Sequence, residues 1–297
     1  MMPPSSHSLA TPQGGRPPAA RQSRFRGGKL GRGLARRGLL ALGLAVLSGC
    51  ATTPANAPAE VRQALAPTGT LRIAAYTGSP TSLVPGGSPG QERGVAVELG
   101  RELARRLGVP AQIVLFERPA EIIEGLKAGR ADLTLTNASP ARAKEVDFTP
   151  AVLRLESGYL AAPGSRVTTM AQVDAPGVRV GVAQGSSSQA TLSRDLKAAQ
   201  VVPVASVSVA AEQLRQGQLD LFASNKGILF DMSDRVPGSR VLEGRWALEQ
   251  LALGVPQGRQ AAAAWLQAFV ADPATRALVR QAAQRAGLRG LATDSTP

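Results

Sequence analysis

An eight-residue pattern occurs twice in this chain, and it narrows the folds open to it more than any other feature. Leu126-Lys127-Ala128-Gly129-Arg130-Ala131-Asp132-Leu133 and Leu214-Arg215-Gln216-Gly217-Gln218-Leu219-Asp220-Leu221 both read L-x-x-G-x-x-D-L, 88 residues apart. Each copy stands at the same place in a repeated order of strand and helix signals. In the first half, Leu71 to Tyr76 is a short apolar run, and Leu99, Leu103 and Leu107 recur at helical spacing before Gly108-Val109-Pro110. Ile113 to Phe116 is apolar and β-branched, Ile122, Ile123 and Leu126 mark a helix ending at Gly129, and Asp132 to Thr136 reads as a strand. In the second half, strands over 178–182, 201–204 and 220–223 alternate with helices over 190–199 and 209–216. This alternation predicts an α/β fold of two lobes, each built on its own open sheet.

Five positions beyond each repeated aspartate stands an asparagine, Asn137 and Asn225. A glycine-capped helix feeding a strand accounts for the shared pattern on structural grounds, but not for these asparagines. They fall past the carboxyl ends of equivalent strands, where open α/β sheets hold their ligands. The other reading is that each caps or turns its own loop. The apolar runs Leu153 to Ala161 and Leu251 to Pro256 suit strands that carry the chain to the second lobe and back, leaving a ligand cleft between the lobes. Helices around Ala261 to Phe269 and Pro273 to Ala286 then return to the first lobe, with Trp265, Phe269, Leu278 and Val279 as core.

The chemistry open to such a cleft is narrow. The chain has one histidine, His7, and one cysteine, Cys50, so its body has no Ser-His-Asp or Cys-His catalysis, no His- or Cys-held metal and no disulfide. The expectation is a protein without metal or organic cofactor. The formal charge of +13 is unevenly spread. Residues 1–49 hold Arg16, Arg21, Arg24, Arg26, Lys29, Arg32, Arg36 and Arg37 and no acid, which leaves 26 basic against 21 acidic residues in the remainder, a net of +5. Those basic residues are scattered among acids, and aromatics for base stacking are few, so nucleic acid is not an expected partner.

Arg36 and Arg37 precede an apolar run from Gly38 to Leu47, followed by Ser48-Gly49-Cys50. A basic stretch, an apolar stretch of about 7–15 residues and small residues before a cut site are the parts of a secretory signal. The run is well short of the ~20 residues that span a bilayer. Leu47-Ser48-Gly49-Cys50 resembles the lipobox of bacterial lipoproteins, which implies cleavage before Cys50 and lipid on its sulfur and amino group. Residues 1–49 are therefore expected to be a lipoprotein signal peptide. Residues 50–67, rich in Ala, Pro and Thr without an apolar period, read as a lipid-anchored flexible tether.

Asn137-Ala138-Ser139-Pro140-Ala141-Arg142, followed by Val146-Asp147-Phe148-Thr149-Pro150, is similar to the paired patterns Ser/Thr-x-Thr-Pro-x-Arg and V-D-F-S/T-x-P. Gly94-Val95-Ala96-Val97-Glu98-Leu99 and Gly181-Val182-Ala183-Gln184-Gly185-Ser186 flank that motif in the matching order. On these motifs the chain from about Gly69 to Leu288 resembles the family 3 extracellular solute-binding proteins, the periplasmic receptors of amino-acid-type ABC importers. The resemblance implies a type II periplasmic-binding-protein fold. Residues 68–155 and 252–297 are expected to form lobe 1 and residues 156–251 lobe 2, joined by two crossing strands.

The same resemblance implies that Arg142 grips a ligand carboxylate, a role suited to a guanidinium that can hold two oxygens in parallel. Asn137 occupies a family contact position, and Ser139 is placed to cap a helix starting at Pro140. Gly185, Ser186 and Ser187 precede the first helix of lobe 2 and can offer N–H and hydroxyl donors to an anion. Two positions depart from the family. Asn225 stands where its amino-acid receptors carry an aspartate for the ligand's ammonium, and Ser82 and Leu83 stand where a stacking aromatic is usual. The expected ligand is a small polar or anionic solute, amino-acid-like or an organic acid. Arg142 and the Gly185 to Ser187 loop are expected to meet its acidic group, with Ser79, Thr81, Ser82, Asn137 and Asn225 around the rest.

The implied protein is a periplasmic, lipid-anchored monomer that closes on its solute and presents the closed form to an ABC permease in the inner membrane. Two readings compete with it. One is a cleft enzyme of dehydratase type on the same fold, with Glu98, Glu117 or Glu156 as general acid or base. The other is a lipoprotein that senses or scaffolds without transport.

Overall fold

A computed structural model describes residues 57–292; the expected signal peptide and the expected lipidation site, Cys50, lie outside the described residues. The expected tether is corrected within its described part. Val61 and Leu65, one helical turn apart, are buried and make residues Ala59–Leu65 a helix, α1, that joins the main core.

Next come β1 (Leu71–Ala75) and α2 (Val95–Leu107). Val95, Leu99, Leu103 and Leu107 form the buried stripe of α2, and Gly108, left-handed at φ 70°, ends it. β2 (Ala111–Leu115), α3 (Pro119–Lys127) and β3 (Thr134–Asn137) complete the first series, with Pro119 at the start of α3 where its missing N–H is harmless. The short β4 (Val146–Phe148) leads to β5 (Leu153–Ala161), which coincides with the first expected crossing segment.

The second series is β6 (Arg179–Ala183), α4 (Ser187–Asp195), β7 (Gln200–Val204), α5 (Val207–Arg215) and β8 (Leu221–Asn225). α4 starts earlier and ends earlier than the expected 190–199. Leu196 turns extended, and the Asp174 carboxylate accepts from the backbone N–H groups of Lys197, Ala198 and Ala199, holding them as a loop. α6 (Lys226–Arg235), β9 (Arg240–Val241), β10 (Ala247–Pro256), α7 (Gln260–Ala271) and α8 (Pro273–Arg285) follow. α7 packs on α1 and α8 on α2, so the C-terminal helices return to the first core, where Phe269 is buried and stacks on Trp265.

The sheets carry the repeat into three dimensions. β2 pairs parallel with β1, the Ile73–Leu133 bridge sets β1 beside the entry to β3, and β3 pairs antiparallel with β10. In the second series β7 pairs parallel with β6, β6 with β8, and β8 antiparallel with β5. Both series thus run second strand, first strand, third strand, long antiparallel strand. β5 and β10 also pair with each other, Leu153 opposite Leu251 and Ser157 opposite Ala247, where the chain passes between the two groups. One large hydrophobic cluster draws on α1, α2, α7 and α8, while Phe222, Leu229 and Met232 belong to a separate cluster of the second series.

The repeated aspartates have a structural task. Asp132 accepts from the Arg72 backbone N–H at 3.1 Å and its guanidinium at 2.8 Å, while Arg72 also donates to the Gly129 carbonyl at 2.6 Å. Asp220 makes the same clasp with Arg179 at 2.8 and 2.9 Å, and Arg179 donates to the Gly217 carbonyl at 2.7 Å. Each L-x-x-G-x-x-D-L thus locks its helix end and strand entry onto the first strand of its own series. The series differ at one connection: residues 76–94 separate β1 from α2, whereas 184–186 separate β6 from α4.

Candidate functional site

The carboxyl ends of β3 and β8 face a cleft of ≈ 440 Å³ lined from both series. Tyr76, Asn137 and Arg142 line it from the first; Ser187 and Asn225 line it from the second; Glu249 enters from β10. Both asparagines line the cleft; Asn225 also caps the helix that follows it, whereas Asn137 bonds across to β10. Asn225 Oδ1 accepts from Ile228 N–H as the cap of α6, and Asn137 Oδ1 accepts from Gln250 N–H.

Arg142 sits in a single 3₁₀ turn, Arg142–Lys144, rather than in the helix expected from Pro140. Its half-buried guanidinium donates to Thr136 Oγ1 at 2.6 Å and has no ion-pair partner among the described residues. Burial pulls its pKa below the ordinary arginine value, and the Glu249 charge opposes that shift. Burial likewise pushes the Tyr76 phenol up.

Glu249 escaped the sequence reading. Its carboxylate accepts from Asn225 Nδ2 at 3.3 Å and Ser187 Oγ at 3.4 Å, and burial raises its pKa against the opposing influence of Arg142. A signal for it does exist. Strand alternation puts Glu249 on the same face as Leu251, Leu253 and Val255, an apolar face interrupted by one carboxylate.

The other expected residues divide. Ser79 and Thr81 line the cleft, their hydroxyls 2.8 Å apart, and Ser186 and Ser187 line its far wall. Three expected contacts do not line it. Ser82 Oγ accepts from the Tyr76 N–H at 2.9 Å and braces the 76–94 loop from within. Ser139 Oγ faces the Arg142 N–H at 3.4 Å. The Gly185 N–H, expected to be free for an anion, donates to Gln189 Oε1 at 2.6 Å, while Ser186 Oγ caps α4 through the Gln189 N–H.

The two series touch at the cleft mouth. Arg118 donates to Gln184 Oε1 at 3.1 Å across the gap. Gly185, at φ 71°, lies so near Ala120 that an added Cβ would stand 2.5 Å from the Ala120 Cβ. Of the three acids weighed for catalysis, only Glu117 lines the cleft; Glu98 pairs with Arg285, and Glu156 with Lys226 and Arg245. Among the described residues no group of three or more His, Cys, Asp or Glu could hold a metal ion, and no helix is long and apolar enough to cross a membrane.

A family model for the bacterial extracellular solute-binding proteins, family 3, matches residues 71–276. The chain belongs to this family. No curated protein matches this solute-binding protein in sequence. Its fold is shared with the solute receptor for L-cysteine of Neisseria gonorrhoeae, at 22% identity over 76% of this chain and 92% of that one, TM-score 0.67. It is also shared with an ABC transporter binding component from Wolinella succinogenes complexed with lysine, at 20% identity over 73% and 95%, TM-score 0.65. A third relative in fold is an ancestral amino-acid-binding protein that is a precursor of cyclohexadienyl dehydratase, at 19% identity over 75% and 98%, TM-score 0.65. The fold is that of the type II periplasmic-binding proteins.

Proposed function

We propose that this protein captures a small carboxylate-bearing solute, amino-acid-like or an organic acid, and delivers it to the permease of an ABC importer. The reading divides the body into lobe 1, residues 68–155 and 252–297, and lobe 2, residues 156–251, which close on the solute. Arg142 carries the reading: its guanidinium lines the cleft and lacks a carboxylate partner among the described residues, so a solute carboxylate completes its bonding. Asn137, Ser79 and Thr81 from lobe 1 and Ser186, Ser187 and Asn225 from lobe 2 surround the remainder of the solute. Contacts from both lobes exist together only when the lobes are near, which supplies the differential affinity that closure needs. Removal of residues 1–49 and lipid on Cys50 anchor the protein, as a monomer, to a membrane of the cell envelope.

Native mass spectrometry of the full chain as purified, repeated with a panel of small acids, tests this function. One acid bound one-to-one and released unchanged supports it. Release of an altered molecule supports the dehydratase-type reading instead, and no bound acid supports a scaffold.

A further inference from the structure

Glu249 is a carboxylate in a strand position whose pattern is otherwise apolar. Leu251, Leu253 and Val255, which share its face of β10, all enter the main hydrophobic cluster. Glu249 instead lines the cleft with 8% of its surface exposed. Its two hydrogen-bond donors, Asn225 and Ser187, are neutral and stand at 3.3 and 3.4 Å, longer than the usual hydrogen-bond range. It has no ion pair among the described residues, and neither has Arg142 on the same cleft. A buried ionised carboxylate without a cation is strongly unfavourable. Arg142 and Glu249 are therefore a positive and a negative group of the cleft that do not bridge to each other, with ≈ 440 Å³ of space lined by both.

We propose that Glu249 is a specificity-determining residue that recognises a protonated amine on the solute, so that the solute is a zwitterion spanning Arg142 and Glu249. The proposal rests on the carboxylate-capturing function above. It places the negative group on the strand joining the lobes rather than at the end of β8, where Asn225 offers no charge. Asn225 is a positioning residue. Its Oδ1 is held by the Ile228 N–H at 3.2 Å, which turns Nδ2 toward Glu249. An ammonium has three donors, enough to meet Glu249 and neighbouring hydroxyl or amide oxygens together.

Isothermal titration calorimetry of the full chain with the standard L-amino acids, with the α-hydroxy acid matching each binder, and with succinate and malate tests the proposal. The expected result is at least one amino acid bound about tenfold or more tighter than its hydroxy counterpart, which lacks the amine. Glu249→Gln keeps the side-chain shape and closes that gap, and adding Asn225→Asp to Glu249→Gln reopens it by restoring a charge one hydrogen bond away. Equal binding of amino and hydroxy acids, preference for a dicarboxylate, or a gap that survives Glu249→Gln overturns the role of Glu249 and leaves the carboxylate-capturing cleft standing. No binding by any of these acids overturns that cleft and the proposal with it.

Discussion

Asn225 donates through Nδ2 to the Glu249 carboxylate at 3.3 Å, joining the end of β8 to the strand that carries the chain back to the first series. A neutral donor softens the burial of a carboxylate without cancelling its charge. The solute-free protein therefore keeps Glu249 at a raised pKa, with Arg142 and Tyr76 the other titratable groups facing it.

The sign of the resulting pH dependence is fixed. Over the window from the ordinary glutamate value up to the raised one, the folded state binds a proton that the unfolded chain has released. Solute-free stability therefore falls as pH rises through that window. Glu249→Gln removes this dependence and raises the neutral-pH Tm, by ~2–4 °C for each kcal/mol gained in a body of this size. Differential scanning fluorimetry from about pH 4 to about pH 8 measures both effects. A lower Tm at neutral pH with an unchanged profile contradicts the account.

The two repeated clasps differ in burial, and their variants separate accordingly. The Asp132 side chain is fully buried between Arg72 and Arg259, whereas that of Asp220 is 30% exposed and, among the described residues, forms an ion pair with Arg179 only. Asp132→Asn is expected to lose ~3–5 kcal/mol, as for a broken buried pair. Asp220→Asn loses about 1 kcal/mol or less. Urea denaturation midpoints compare them, and equal losses contradict the assignment.

Elements with their own periodicity were legible before the structure. The apolar run Leu153 to Ala161 coincides with β5, and the buried stripe of α2 follows its leucine spacing. What stayed hidden depends on contacts distant in sequence. Arg72 and Arg179 reach their aspartates across 60 and 41 residues, so the repeated Asp could be seen but not its partner. β10 begins at Ala247, before the apolar run from Leu251, and the polar pair Glu249 and Gln250 concealed the strand's start and the cleft's carboxylate with it. Ser82, Ser139 and Gly185 have the right chemistry for a ligand, but the local fold turns their groups to Tyr76, Arg142 and Gln189.

Gly185→Ala tests closure. The new Cβ would stand 2.5 Å from the Ala120 Cβ, and φ of 71° adds about 1 kcal/mol of strain for a residue with a side chain. On the proposed closure the two series of this variant cannot approach as closely, so solute affinity falls about tenfold, and small-angle X-ray scattering of the solute-saturated protein gives a larger radius of gyration than wild type. Unchanged affinity and radius contradict the closing role of this contact.

The central claim is that Arg142 holds a solute carboxylate in the cleft, and calorimetric titration of Arg142→Ala against wild type measures it most directly. The account predicts one-to-one binding to wild type and at least about thirtyfold weaker binding to Arg142→Ala, from the loss of ~2 kcal/mol or more of charge-assisted bonding. Arg142→Lys falls between, because an ammonium lacks the parallel fork. Arg142→Ala binding the same solute as tightly as wild type contradicts the account.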